Sequence, residues 1–309
     1  KYYIIIILSG ERRKSGMHRF LRTIGFSELT NKRQLDDLIN DCIHNSDTEK
    51  MAVDSNGFEF IEITKMFHEN LGIAICGQYQ EDGKFSMEYY YPFFIGNEIS
   101  TDEQIEIERH VGNESYAGVC DEMRLGVTLI FYLQNVADYL NQKTICDAPF
   151  QNVTTNLSAL ALNGKIILPI GKNEEQIKNN EKNRMNRNYL MAAARDGDEE
   201  AIESLTLEDI DLYSMISRRV EKEDLFSIVE SYFMPYGIES DQYSIMGTIL
   251  DLKETQNHIT NEKITLMKIN ANDLIFDLCI NTKDLIGIPE VGRRFKGNIW
   301  MQGKINFLD

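Results

Sequence analysis

The stretch from Ile105 to His110 holds residues whose types and spacing could carry chemistry. Glu106, Glu108 and His110 alternate there with Ile105 and Ile107. Successive side chains of a strand point to opposite faces, which would place both carboxylates and the imidazole on one face. Such a set can bind a divalent metal ion or act as acid and base. Strands of an acidic protein also carry glutamates on their solvent face, and we favour that interpretation.

A second candidate lies near the C-terminus, where Arg293, Arg294 and Lys296 precede Trp300. On a small barrel, basic side chains beside an aromatic ring would form a groove for single-stranded nucleic acid. The alternative is an edge strand that its charges protect from aggregation, with the indole in the core. Residues 237–309 hold eight basic and ten acidic side chains, which makes nucleic acid our second hypothesis.

The signatures of common catalytic and nucleotide-binding sites are missing from the sequence. It contains no glycine-rich dinucleotide motif, no Walker lysine loop, no Gly-x-Ser-x-Gly and no His-Glu-x-x-His. The five histidines do not show the spacing of a metal site. We therefore expect no cofactor, assign no catalytic residue and favour a protein that is not an enzyme.

Composition limits the compartment and the partners. The chain of 309 residues has a net charge of −17, which argues against general affinity for nucleic acid or anionic membranes. No apolar run is long enough to span a bilayer. The five cysteines (Cys42, Cys76, Cys120, Cys146 and Cys279) show no Cys-x-x-Cys spacing. Reduced, mostly buried thiols and a cytoplasmic location are expected from that usage.

A helical hub is predicted between two β-rich parts of the chain, from Arg187 to Gly237. Asp196 and Gly197 form a turn that ends one helix, and Asp198 is suited to cap the next. Apolar residues of this next helix, Ile202 among them, are expected to face inward. Further helices are predicted to open at Thr206 and to cover Leu225 to Phe233, ended by Pro235.

The elements outside the hub predict an α+β fold. We expect an antiparallel-sheet N-terminal domain with a buried helix, the helical connector and a C-terminal β-barrel of the OB type. SH3-like or other small barrels would fit the last part almost as well. The domains would cover 17–170, 171–236 (linker and hub) and 237–309. Residues 1–16 are interpreted as a non-native upstream extension, because Met17 is the first methionine.

Three apolar stretches give the more detailed expectations. Leu125 to Leu140 repeats at helical spacing and predicts the buried helix of the first domain. Asn163-Gly164 predicts the turn of a hairpin that covers Val153 to Ile170. Gly303 is expected to separate two final strands, Arg294 to Met301 and Lys304 to Phe307.

Several phrases of the sequence resemble an uncharacterised protein family of clostridial-type bacteria, domain of unknown function 3881. They lie at Met17–Ser27, Glu108–His110, Ser115–Asp121, Ala192–Leu205, Tyr232–Gly237 and Val291–Gly303. The resemblance covers about Met17 to Phe307, nearly the whole chain. It implies no activity, substrate or catalytic residue that can be transferred.

The leading functional hypothesis is a cytoplasmic, non-enzymatic interaction or regulatory protein with an unidentified protein as its partner. Nucleic-acid binding through Arg293, Arg294, Lys296 and Trp300 is the second. A metal-dependent enzyme that uses the Glu106 strand is the third. No membrane partner is expected.

Overall fold

The computed structural model describes residues 17–111, 114–145, 153–171, 174–220 and 223–307. Within these ranges the chain forms an α+β fold with an antiparallel sheet of four strands and a larger mixed sheet. The predicted upstream extension, residues 1–16, lies outside the described residues. No helix in the described part is both long and apolar enough to cross a lipid bilayer.

The first part of the chain builds the four-stranded sheet. A 3₁₀ helix, Arg19–Ile24, precedes helix α1, Lys32–His44. The side chains of Asn31 and Gln34 form a reciprocal capping box that satisfies free amides at the start of α1. The strands follow in the order β1-β2-β3-β4, all antiparallel: β1 Thr48–Val53, β2 Glu59–His68, β3 Leu71–Tyr79 and β4 Phe85–Phe94.

The larger sheet takes its strands from both sides of the helical hub. Those before the hub are β5 Glu106–Arg109, β6 Tyr116–Glu122, β7 Val127–Leu133 and β8 Val153–Ile167, with helix α2, Val136–Ile145, between β7 and β8. Strand β9, Tyr232–Pro235, lies at the end of the predicted hub. Those after the hub are β10 Gln242–Gln256, β11 Lys263–Ala271, β12 Leu274–Asn281, β13 Leu285–Ile286 and β14 Arg294–Phe307. A single 3₁₀ turn, Thr282–Asp284, precedes β13.

Strand β8 joins the two parts of the chain because it has two main neighbours. It runs parallel to β12 and antiparallel to β14, and the β14 pairing extends over nearly the whole of both strands. The pairing therefore passes from β8 through β12, β11, β10 and β14 back to β8. The division into domains at residues 170 and 237 stays a prediction.

The predicted buried helix over Leu125 to Leu140 is wrong for its first half. This stretch forms strand β7, which lies between β6 and β14, and only then helix α2. Leu129, Phe131 and Leu133 are fully buried in the strand. A continuous apolar run fits a central strand as well as a helix, because both of its faces are covered.

The predicted hairpin over Val153 to Ile170 and the predicted break at Gly303 are also wrong, since β8 and β14 are both continuous. The glycines have another role at these positions. A Cβ on Gly164 would lie 2.2 Å from the ring of Phe295, and one on Gly303 would lie 2.5 Å from the ring of Phe131. Glycine is therefore required for close packing in the middle of a strand.

Candidate functional site, a projecting helical hairpin

The most distinctive surface of the protein is a pair of long helices, α3 Glu174–Arg195 and α4 Glu199–Val220. Gly197 has a φ of 90° and ends α3 as predicted. The Asp198 carboxylate accepts hydrogen bonds from the backbone N–H groups of Glu200 (2.9 Å) and Ala201 (3.2 Å). The sharp turn and this cap together make α3 and α4 an antiparallel hairpin.

Two predicted helix boundaries in this region are wrong. Helix α4 continues through Thr206, whose hydroxyl donates to the carbonyl of Ile202 one turn earlier and does not act as a cap. The predicted helix over Leu225 to Phe233 is reduced to a single turn, α5, Leu225–Ile228. The chain then becomes strand β9, which pairs with β10.

The two helices hold each other through a narrow interface. Ala201 is the one buried side chain in the described part of the hairpin, and Leu205 and Ile216 are half-buried. Arg187 of α3 forms ion pairs with Glu208 (3.4 Å) and Asp209 (2.8 Å) of α4. No strand makes an extended contact with either helix in the described part of the chain.

An apolar stripe remains exposed on α4. It consists of Ile202, Leu207, Ile210 and Tyr213, which are 47 to 75% exposed. At 3.6 residues per turn these four side chains fall within about 140° of one another, on the side of α4 away from α3. We call them the outer stripe. The expectation that Ile202 faces inward is therefore wrong.

The base of the hairpin is fixed to strand β14 by Arg294, which is almost fully buried. Its guanidinium donates to the carbonyl of Leu168, before the hairpin, at 2.7 and 3.0 Å. It also donates to the carbonyls of Phe226 (2.7 Å) and Val229 (2.8 Å), after the hairpin. One side chain thus joins the two segments that lead into and out of the hairpin.

The other members of the predicted nucleic-acid site have local partners. The Lys296 ammonium lies 4.4 Å from the centre of the Phe226 ring, and Arg293 pairs with Glu290 at 2.8 Å. The buried Trp300 donates through Nε1 to the carboxylate of Asp241 at 2.7 Å. Burial raises the pKa of Asp241 to about 6, although the indole hydrogen bond acts in the opposite direction. Two of the four predicted residues, Arg294 and Trp300, are thus buried.

The predicted metal or acid–base set is divided between the surface and the interior. Glu106 is exposed and Glu108 is half-buried on β5, which ends before His110. The His110 ring is buried, with Nδ1 3.0 Å from the Ser115 hydroxyl and its plane stacked on Tyr132. Burial lowers the pKa of His110, which favours the neutral ring. In the described ranges, no three His, Cys, Asp or Glu side chains are grouped to hold a metal ion.

The sequence contained a signal for the outer stripe. Helix α4 has apolar residues on two sides: Ala201, Leu205 and Ile216 towards α3, and the outer stripe away from it. A helix that is apolar on two sides needs covering on both. The sequence alone predicts one inward face, because it does not give the position of the partner helix.

Comparison with known proteins identifies the family. No curated protein and no solved structure matches the chain. The model of one family, described as "Domain of unknown function, E. rectale Gene description (DUF3881)", matches residues 21–303. The organism in this description agrees with the clostridial-type resemblance of the sequence. The match covers most of the chain, and the protein therefore belongs to the family of domain of unknown function 3881.

Proposed function

We propose that the protein is a cytoplasmic, non-enzymatic interaction protein and that the α3–α4 hairpin is its binding surface. The observation that carries the proposal is the outer stripe, four large apolar side chains on a helix with which no strand of the described ranges makes an extended contact. Single exposed apolar residues are common on protein surfaces, whereas several on one side of a helix are typical of an interface.

The energetics favour a covered stripe. Full burial of a Leu, Ile or Phe side chain stabilises by about 1.5–3 kcal/mol, and roughly half of each stripe residue remains to be buried. Tyrosine is enriched at the core of interfaces, and Tyr213 is the most exposed member of the stripe. Covering all four side chains would contribute a binding free energy of several times RT, from which the entropic cost of association is subtracted.

The attachment of the hairpin supports the same function. We infer that β8, β10, β11, β12 and β14 form a small barrel of the OB type and that this barrel is the rigid base of the hairpin. The return of the strand pairing to β8 supports this inference. Arg294 fixes both ends of the hairpin to the barrel, so that the helices present their outer side in a defined direction.

The cytoplasmic location rests on the thiols. Cys42, Cys76, Cys120 and Cys279 are buried and free, and burial raises the pKa of Cys42 and Cys120 to about 12. The thiolate is the reactive form, so these thiols are protected from oxidation and suited to a reducing compartment. Cys146 lies outside the described residues.

A capture experiment tests the proposal. The wild-type chain and the double variant Leu207→Glu/Ile210→Glu are used as bait in native lysate. The control is Ile286→Glu/Ile288→Glu, which places charges on two side chains that are somewhat more exposed than Leu207 and Ile210 and far from the hairpin in sequence. We expect the wild-type chain and the control to retain the same bound protein and the hairpin variant to lose it. Equal retention by all three chains, or by none, would contradict the proposal.

A further inference from the structure

The two ends of helix α4 carry opposite charges. Glu199 and Glu200 lie in its first turn, and Arg218 and Arg219 lie in its last turn. This placement suits the helix dipole. It also makes the helix electrostatically complementary to a second, antiparallel copy of itself, because each acidic end would lie beside a basic end.

We infer that the outer stripe binds the outer stripe of a second copy of this chain, with the two α4 helices antiparallel about a twofold axis. This inference rests on the proposed function, because it names the partner of the same surface. A twofold contact uses one patch twice, so that a self-complementary stripe needs no second surface on the protein.

The positions of the stripe residues fit this arrangement. The stripe runs from Ile202 to Tyr213, and its midpoint lies between Leu207 and Ile210. An antiparallel pair centred there sets Glu199 of one copy within about one turn of Arg218 of the other. A parallel pair would instead set the acidic first turns against each other, which is unfavourable.

The charge distribution also selects the hairpin as the contact between copies. By sequence, α3 has five basic and three acidic side chains, for a net charge of +2. Helix α4 has six acidic and two basic side chains, for a net charge of −4. The two helices thus contribute −2 to the total of −17, and the rest of the chain contributes −15. Copies that approach through the hairpin keep the strongly acidic remainder apart.

The charges near the middle of α4 do not oppose this contact. Glu208 and Asp209 are both paired with Arg187 of their own hairpin. They are partly neutralised before a second copy arrives. The remaining acidic groups of α4 are Glu199, Glu200, Glu203 and Asp211, of which the first two would be nearest the basic end of the second helix.

The first test is photocrosslinking of the full chain. Tyr213 is replaced by p-benzoyl-L-phenylalanine, and the control carries the same group at Ile288, an exposed position outside the hairpin. After irradiation in native lysate, we expect the Tyr213 variant alone to give a crosslink between two copies of this chain. A crosslink only to a different protein would overturn the inference and leave the proposed function standing. A yield no higher than that of the control would overturn both.

The second test uses charge reversal and sedimentation equilibrium of the purified chain. Glu199→Lys and Arg218→Glu each replace attraction by repulsion at two symmetric positions, and each is expected to weaken dimerisation about tenfold. The double variant Glu199→Lys/Arg218→Glu restores complementarity and should recover most of the wild-type affinity. Circular dichroism is used to check that each variant keeps the helical content of the wild-type chain. A monomeric wild-type chain would overturn the antiparallel dimer. So would a double variant whose loss of dimerisation free energy equals the sum of the losses in the two single variants.

Discussion

Replacing Arg294 by alanine should release the base of the hairpin from strand β14. The side chain makes four hydrogen bonds to three carbonyls, those of Leu168, Phe226 and Val229. A buried carbonyl that loses its partner costs about 1–3 kcal/mol. The carbonyls at the hairpin base can recover water in part, so we take the lower limit for each and expect a loss of about 3 kcal/mol.

The assay is urea denaturation combined with hydrogen exchange and mass spectrometry. We expect a lower midpoint and faster exchange in the segments around residues 166–171 and 223–236. Arg294→Lys keeps the charge but cannot reach three carbonyls at once, so it should lose most of the same stability.

Arg293→Ala is the matched control. The Arg293 side chain contacts Glu290 and the carbonyl of Ile288 close in sequence, and a change below about 0.5 kcal/mol is expected for a surface contact of this kind. If Arg294→Ala unfolded with the wild-type midpoint and unchanged exchange, the structural role assigned to this guanidinium would be refuted.

Three further predictions test particular positions. Burial raises the pKa of Glu62 to about 7. The stability that the protonated carboxyl contributes is therefore complete below the pKa of the unfolded chain and is lost as pH rises through 7. In urea titrations Glu62→Gln should be more stable than wild type at pH 8, by up to about 3 kcal/mol, and similar to it at pH 4. Gly118→Ala would place a Cβ 2.1 Å from the Phe131 ring and should cost about 1–3 kcal/mol in the same assay, whereas Gly171→Ala, with open space around it, should be neutral. Gly197→Ala forces a φ of 90° on alanine and should lower the thermal stability of the hairpin by about 1 kcal/mol, which exchange at the α3–α4 turn would report.

Helix ends were predictable from the sequence because their signals are local. Gly197 and Asp198 mark the turn between α3 and α4 through conformation and capping chemistry that act within a few residues. The capping box of Asn31 at the start of α1 is equally local. Strands β2 to β4 form part of the antiparallel sheet that was expected near the N-terminus, since alternation and short turns act locally.

The failures concern contacts between distant parts of the chain. Gly164 and Gly303 are residues of a type that is common in turns. At both positions glycine is needed instead because an aromatic ring from another strand lies against the backbone. Strand β7 is apolar along most of its length, like a buried helix, because it lies between β6 and β14 in the sheet. No local pattern contains these neighbours, so the sequence alone could not distinguish the alternatives.

Contacts between distant parts of the chain also decide where the candidate site residues lie. Arg294 is basic in the sequence, but its partners are carbonyls that lie 65 to 126 residues away. His110 continues the alternation of β5, but its ring is turned inward towards Ser115 and Tyr132. Residue type showed that chemistry was possible, and tertiary contacts decided where each group lies.

Hydroxyl-radical footprinting of Tyr213 tests the central claim most directly. The tyrosine is 75% exposed in the single chain, and Tyr236, which is 46% exposed outside the hairpin, serves as the internal reference. Oxidation is compared between the dilute purified chain and the chain in native lysate. If the outer stripe is a protein-binding surface, Tyr213 should be protected in lysate while Tyr236 is not. Equal oxidation of Tyr213 in both conditions would contradict the claim.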